Sequence, residues 1–275
     1  MYYSRLKVVC DSEVSEILMA EVGELGFDSF LETDNGFEAY VEQENFDKPQ
    51  LLVIKEKYQQ VAVFHEDHIQ KQNWNEEWEK NYQPIVVEEK CLIRAEFHKI
   101  EKEYPYELII TPKMSFGTGH HQTTYLMVKS QMGIDHRNKR VMDAGCGTAI
   151  LSVLASKLGA KEVEAFDIDE WSVSNGTENI EVNQCTNIHH QQGKLSELKF
   201  SGKFDIILAN INKNVLMDEL KLYKEYLAPD GLILLSGFYT EDIRELFQEA
   251  AQYNLKEVMR DERENWAALL LSSSN

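Results

Sequence analysis

Val141-Met142-Asp143-Ala144-Gly145-Cys146-Gly147-Thr148-Ala149 passes from a short apolar block through two glycines into a segment with helical spacing. The pattern predicts a buried strand over Arg140–Asp143, a tight turn, and a helix over Thr148–Leu158 that Gly159 ends. Glycines at such a turn let the backbone approach a ligand with no Cβ in the way. A plain strand–helix corner accounts for them equally well, so the turn needs its surroundings. Downstream the alternation continues: strand Val163–Phe166, helix Glu170–Val182, strand Phe204–Ala209, helix Lys213–Leu227, strand Gly231–Leu235 and helix Glu241–Tyr253. The last two strands, Leu255–Asp261 and Trp266–Ser272, have only 262–265 between them, which forces a hairpin. Strands alternating with helices make an open, mostly parallel α/β sheet covered on both faces, here with an antiparallel strand inserted at the end.

The neighbourhood of the turn narrows the ligand. Asp167 follows Gly145 by 22 positions, at the carboxyl end of the second strand, where an acidic group accepts hydrogen bonds from the two hydroxyls of a ribose. Asp169 directly precedes the next helix and reads as its cap. A dinucleotide loop would carry a third glycine where Ile150 stands, and no GK[ST] follows a glycine loop, so neither a pyrophosphate cradle nor a P-loop fits. S-adenosylmethionine, an adenosyl ligand without phosphate, does. Asn210 follows the strand Phe204–Ala209 with an amide at the edge where parallel sheets place their sites. Upstream, the glycine-rich loop 112–124 (PKMSFGTGHHQTT) leads into a helix expected at Thr124–Gln131, whose free N–H groups suit a carboxylate. The loop's length favours a lid or binding loop over a connector.

The front of the chain follows another plan. Ser4–Cys10 alternates as a strand does, Asp11 or Ser12 caps a helix carrying Val14, Ile17, Leu18, Val22 and Leu25, and Gly26 stops it. Segments 27–33 and 37–42 flank Asn35-Gly36 as a hairpin, followed by a helix over 49–60 and a strand over 61–64. That βαββαβ order is ferredoxin-like. Trp74, Trp78 and Tyr82 fall four apart and predict a linker helix with one aromatic face. The expected organisation is therefore a ferredoxin-like domain over 1–70, a linker helix over 71–83 and an α/β domain over 84–275.

With 28 basic and 47 acidic residues the chain carries a net charge of −19. Residues 1–83 hold 7 basic and 18 acidic side chains, or −11, which fits either a solubilising surface or a basic protein partner and opposes a phosphate backbone. The four cysteines form no C-x-x-C pair and the histidines gather no ligand set, so no metal is expected. No apolar run approaches the length of a membrane span and the start lacks a secretory block, which sets the expectation of a cytoplasmic protein.

Phe116-Gly117-Thr118-Gly119-His120 with Thr123-Thr124, Asp143-Ala144-Gly145-Cys146-Gly147, Lys157-Leu158-Gly159-Ala160, Asp167-Ile168-Asp169, Ala209-Asn210-Ile211 and the late Asn265-Trp266-Ala267-Ala268-Leu269 together resemble the PrmA methyltransferases, which modify ribosomal large-subunit protein eleven. The resemblance implies a class I S-adenosylmethionine-dependent methyltransferase with a Rossmann-like seven-stranded sheet, its last strand antiparallel, behind a small ferredoxin-like domain that grips the ribosomal protein. It implies methylation of lysine side chains and of the N-terminal amine; the expected state of the protein is a monomer. It also implies Thr124, Gly145, Gly147, Asp167 and Asn210 as the cofactor-binding set. Ala149 stands where relatives carry a third glycine, and Ile211-Asn212-Lys213-Asn214 is more polar than usual. No residue stands out as a dedicated base, while Phe116 would wall an apolar channel for the amine. Other readings are an N-methyltransferase of another protein or a small amine, and a cofactor-binding module without turnover. A nucleic-acid enzyme is disfavoured by the acidic front and by the lack of Pro-Pro-aromatic after Asn210.

Overall fold

The computed structural model describes residues 2–33, 35–42, 45–70, 82–100, 102–113 and 115–273. The expected linker helix falls on 71–83, of which 71–81 lie outside the described residues. Backbone contacts divide the chain into two compact units, Met1–Asn81 and Tyr82–Asn275.

The first unit runs β1 (Tyr2–Cys10), α1 (Ser12–Gly23), β2 (Ser29–Thr33), β3 (Gly36–Glu42), α2 (Lys48–Tyr58) and β4 (Ala62–Gln70). Its sheet has the order β2-β3-β1-β4 with every pairing antiparallel, which is the ferredoxin-like arrangement. Alternation places Leu6, Val8, Phe37 and Ala39 on one face, where Leu18 and Val22 of α1 and Leu51 and Ile54 of α2 cover them. Asp47 caps α2 by accepting from the Gln50 N–H at 3.0 Å. Two expectations shift here. Ile17 falls off the buried stripe of α1 and is 53% exposed. Strand β4 continues beyond residue 64 to Gln70, because β1 pairs with it along its whole length.

The second unit opens with a small sheet, β5 (Ile85–Val87), β6 (Cys91–Arg94) and β7 (Tyr106–Ile109). Strands of three and four residues leave too little periodicity for a sequence reading to register. There follow α3 (Gln122–Gln131), β8 (Arg140–Ala144), α4 (Ile150–Lys157), β9 (Glu162–Asp167), α5 (Glu170–Val182), β10 (Ile188–Gln192), β11 (Phe204–Asn210), α6 (Lys213–Tyr226), β12 (Leu227–Tyr239), a 3-10 turn at Thr240–Asp242, α7 (Ile243–Gln252), β13 (Lys256–Arg263) and β14 (Trp266–Ser272). The main sheet has seven strands in the order β10-β9-β8-β11-β12-β14-β13. The first five are parallel, and β14 runs antiparallel to both β12 and β13. Glu264 and Asn265, both at positive φ, make the tight turn between the last two strands. The seventh strand, β10, escapes the sequence reading because its IHHQQ is polar and lies at the sheet's edge. What reads as one helix over 241–253 is a 3-10 turn followed by α7.

Both faces of this sheet are covered. Val141, Val163 and Ile206 pack with α4 on one side. Met142, Ala144 and Ile207 pack with Leu216, Leu220 and Tyr223 of α6 on the other. From β8 the chain winds outward to β9 and β10, then returns to β11 on β8's other flank. That reversal leaves a crevice outside the carboxyl ends of the strands, the place where open α/β sheets bind ligands.

Candidate active site

A cleft of about 580 Å³ lies at that edge, of the size that small-molecule sites use. Gly145, Gly147, Asp167 and Asn210 line it together, so four of the five residues in the expected set converge. The fifth, Thr124, is fully buried in α3 with its Oγ1 lacking a hydrogen-bond partner, and its neighbour Thr123 lines the cleft. The helix starts two residues earlier than its expected Thr124, because His121 supplies the cap: its Nδ1 accepts from the Thr123 N–H at 3.3 Å.

Asp167 is held by backbone. Its Oδ2 accepts from the Gly147 N–H at 2.9 Å and its Oδ1 from the Asp169 N–H at 3.0 Å. One lone pair on each oxygen stays available, aimed by the turn itself, which is the arrangement two ribose hydroxyls need. Asp169 is committed elsewhere, capping α5 through the Trp171 and Ser172 N–H groups.

The glycines serve a purpose beyond ligand approach. Gly145 has φ of +66°, and a Cβ there would meet Ile211 Cγ2 at 2.3 Å. Gly147 has φ of +52°, and its Cβ would meet the Phe116 carbonyl oxygen at 2.3 Å. The loop around Phe116 is fastened to this turn: Thr148 donates from N to Phe116 O at 2.9 Å and from Oγ1 to Gly117 O at 2.6 Å. Ala149, at the position where relatives carry a third glycine, sits at φ +60°, fully buried, in the left-handed conformation glycine tolerates best.

Phe116, His121 and Trp266 form an aromatic wall. The His121 ring meets Phe116 at 5.3 Å and Trp266 at 4.7 Å between centroids, and Trp266 lies 4.2 Å from Tyr239. On the same cleft, Asn210 carries a buried Oδ1 with no partner. Below the turn, Asp143 is fully buried: Oδ2 accepts from Ser152 Oγ at 2.5 Å and Oδ1 has no partner. Burial pushes its carboxyl up to about 7, with the Asp167 charge adding to the effect. Glu219 also lines the cleft, its carboxyl raised by burial while a hydrogen bond from Tyr223 pulls the other way. Sequence reading missed His121, Trp266 and Glu219 as site residues. Glu219 had a signal, a carboxylate on the apolar stripe of Leu216, Leu220 and Tyr223.

An adenosyl sulfonium compound fits these groups: a fixed carboxylate for the sugar, a close-packed glycine turn, apolar walls and an orphaned amide oxygen. Comparison with known proteins agrees. The family model described as "Ribosomal protein L11 methyltransferase (PrmA)" matches residues 8–274. The chain is 40% identical over 264 residues to a ribosomal protein L11 methyltransferase of Phocaeicola vulgatus, covering 94% of each chain. It is 43% identical over 258 residues to the protein of that name from Porphyromonas gingivalis, covering 92% of this chain and 89% of that one. Among solved structures it superposes on the ribosomal protein L11 methylase of Lactobacillus delbrueckii subsp. bulgaricus with a TM-score of 0.65 and 28% identity, over 70% of this chain and all of that one. A methyltransferase of Pyrococcus furiosus shares the fold, with a TM-score of 0.52 at 16% identity over 61% and 90% of the two chains. With the class I methyltransferase sheet, the cleft at its switch point and a match along nearly its full length, the chain belongs to the ribosomal protein L11 methyltransferase (PrmA) family of S-adenosylmethionine-dependent enzymes.

Proposed function

We propose that this protein methylates lysine side chains and the N-terminal amine of ribosomal protein L11. Full-length family membership supports the substrate, and one geometric observation carries the chemistry: an unpartnered amide oxygen, Asn210 Oδ1, in a cleft walled by Phe116 and Trp266. Bound S-adenosylmethionine supplies a methyl group already activated by its sulfonium. The chain has to deliver a neutral amine in line with it. A lysine ammonium, with an ordinary pKa of about 10.4, must first lose a proton. Aromatic walls disfavour the charged form by desolvation, and the Asn210 carbonyl accepts an amine N–H and aims the nitrogen lone pair. Asp167 and the Gly145–Gly147 turn hold the cofactor, and proximity does the rest. The ferredoxin-like unit grips the substrate, its acidic balance matching a basic ribosomal protein and opposing direct binding to nucleic acid. Among the described residues no helix is long and apolar enough to cross a membrane. With a ribosomal protein as its substrate, the enzyme works in the cytoplasm, as a monomer.

The test is to incubate the enzyme and methyl-labelled cofactor with separately purified ribosomal proteins. Label is expected on L11 alone, and none with Asp167→Ala. Label on a different protein overturns the substrate, and full labelling by the variant overturns the ribose assignment.

A further inference from the structure

Three carboxylates line the cleft among the described residues: Asp167, Asp169 and Glu219. The first two are accounted for, one by the turn and the ribose, the other by the cap of α5. Glu219 is different. Its Oε2 accepts from the Tyr223 hydroxyl at 2.5 Å, and Tyr223 is itself fully buried in the core beneath α6. Among the described residues its Oε1 accepts no hydrogen bond, and no lysine, arginine or histidine pairs with it. A half-buried carboxyl with one oxygen anchored by Tyr223 and the other free at a ligand cleft can accept from a donor that the ligand carries.

Glu219 stands seven residues after the helix cap Asn212, about 10 Å along the axis at 1.5 Å per residue. It therefore lies about two helical turns from the strand end that carries Asn210, on a cleft that the buried Phe166 also lines. The sugar is fixed at Asp167, and the apolar side chains of Ile168 and Val215 offer faces for the base it carries. Val215 sits one helical turn from Glu219 on the same face of α6. We propose that Glu219, anchored by Tyr223, is a specificity residue that reads the exocyclic amine of the cofactor's adenine by accepting its N–H on Oε1. The inference rests on the cofactor assignment above and extends it to a named residue.

The experiment is calorimetric binding of S-adenosylhomocysteine and of S-inosylhomocysteine, which carries a carbonyl in place of the amine, to the full chain. Wild type is expected to prefer the adenine compound at least tenfold, because a carbonyl oxygen opposite the carboxylate repels it. Glu219→Leu should weaken S-adenosylhomocysteine at least tenfold and bring the two ligands within about threefold of each other. Glu219→Gln keeps an acceptor and shape, and should retain part of the preference if the assignment holds. Undiminished preference in both variants, or equal binding of the two ligands by wild type, overturns the role of Glu219 and leaves the cofactor assignment standing. Binding of neither compound by wild type overturns the cofactor assignment and this inference with it.

Discussion

Asp143 offers the sharpest quantitative test of how this site is built. Its carboxyl is 1% exposed, has a single hydrogen-bond donor in Ser152 and leaves Oδ1 without a partner. Burial moves it from the ordinary 3.8 to about 7. At about 1.36 kcal/mol per pH unit this shift corresponds to about 4 kcal/mol of stability. The sign follows from proton counting. Between pH 4 and 7 the folded state holds a proton that the unfolded state has lost, so stability falls as pH rises through that window and levels off above it. Asn at this position has the shape of the protonated acid, accepts the same Ser152 hydroxyl and never ionises. Asp143→Asn should therefore match wild type near pH 4, gain on it by about 1.4 kcal/mol per pH unit, and exceed it by about 4 kcal/mol at pH 8. Urea unfolding at pH 5, 6, 7 and 8 measures the difference, with hydrogen exchange of the β8 amides keeping the reading on the unit that holds the residue. Parallel stability curves for the two proteins across that range, or a carboxyl resonance of Asp143 titrating below pH 5, would refute the reasoning.

Three further perturbations probe the surroundings. Gly147→Ala puts a Cβ 2.3 Å from the Phe116 carbonyl at a φ of +52°, so S-adenosylhomocysteine affinity should fall at least tenfold by calorimetry as the loop is forced off the turn. Asn212→Ala removes the acceptor for the Val215 N–H at 3.2 Å and should cost about 1 kcal/mol in thermal unfolding. Trp266→Leu takes away the ring that packs on His121 and Tyr239. It is expected to lower kcat/KM toward L11 at least tenfold while changing S-adenosylhomocysteine affinity less than threefold.

The sequence disclosed most where burial and period agree. Strands β8 and β11 are near-continuous buried runs, and β9 alternates Val163 and Ala165 with glutamates; all three stand out against the amphipathic helices between them. It disclosed least where strands have no buried face to advertise or too few residues to show one. His189, His190, Gln191 and Gln192 in β10 carry the polar pattern of an exposed edge, and β5 to β7 are too short to show a period. The start of α3 moved because a histidine, rarely weighed as a cap, accepts the first free N–H there. Trp266 escaped as a site residue because it begins a strand whose role looked purely structural.

The motifs that marked the family are separate in sequence and joined in space. Gly145 has no Cβ because Ile211, directly after Asn210, occupies that volume; Gly147 has none because the Phe116 carbonyl does. The loop 116–119, the turn 145–147 and the 209–211 strand end therefore constrain one another as a single packed object. Two of its parts, the Gly147 N–H and the Asn210 amide, also address the cleft. Protein packing selects the glycines, and the geometry that results aims Asp167 and Asn210. This is why three short motifs predicted a ligand site more sharply than their chemistry alone warranted. A change at any one of them should disturb the other two before it disturbs a bound cofactor.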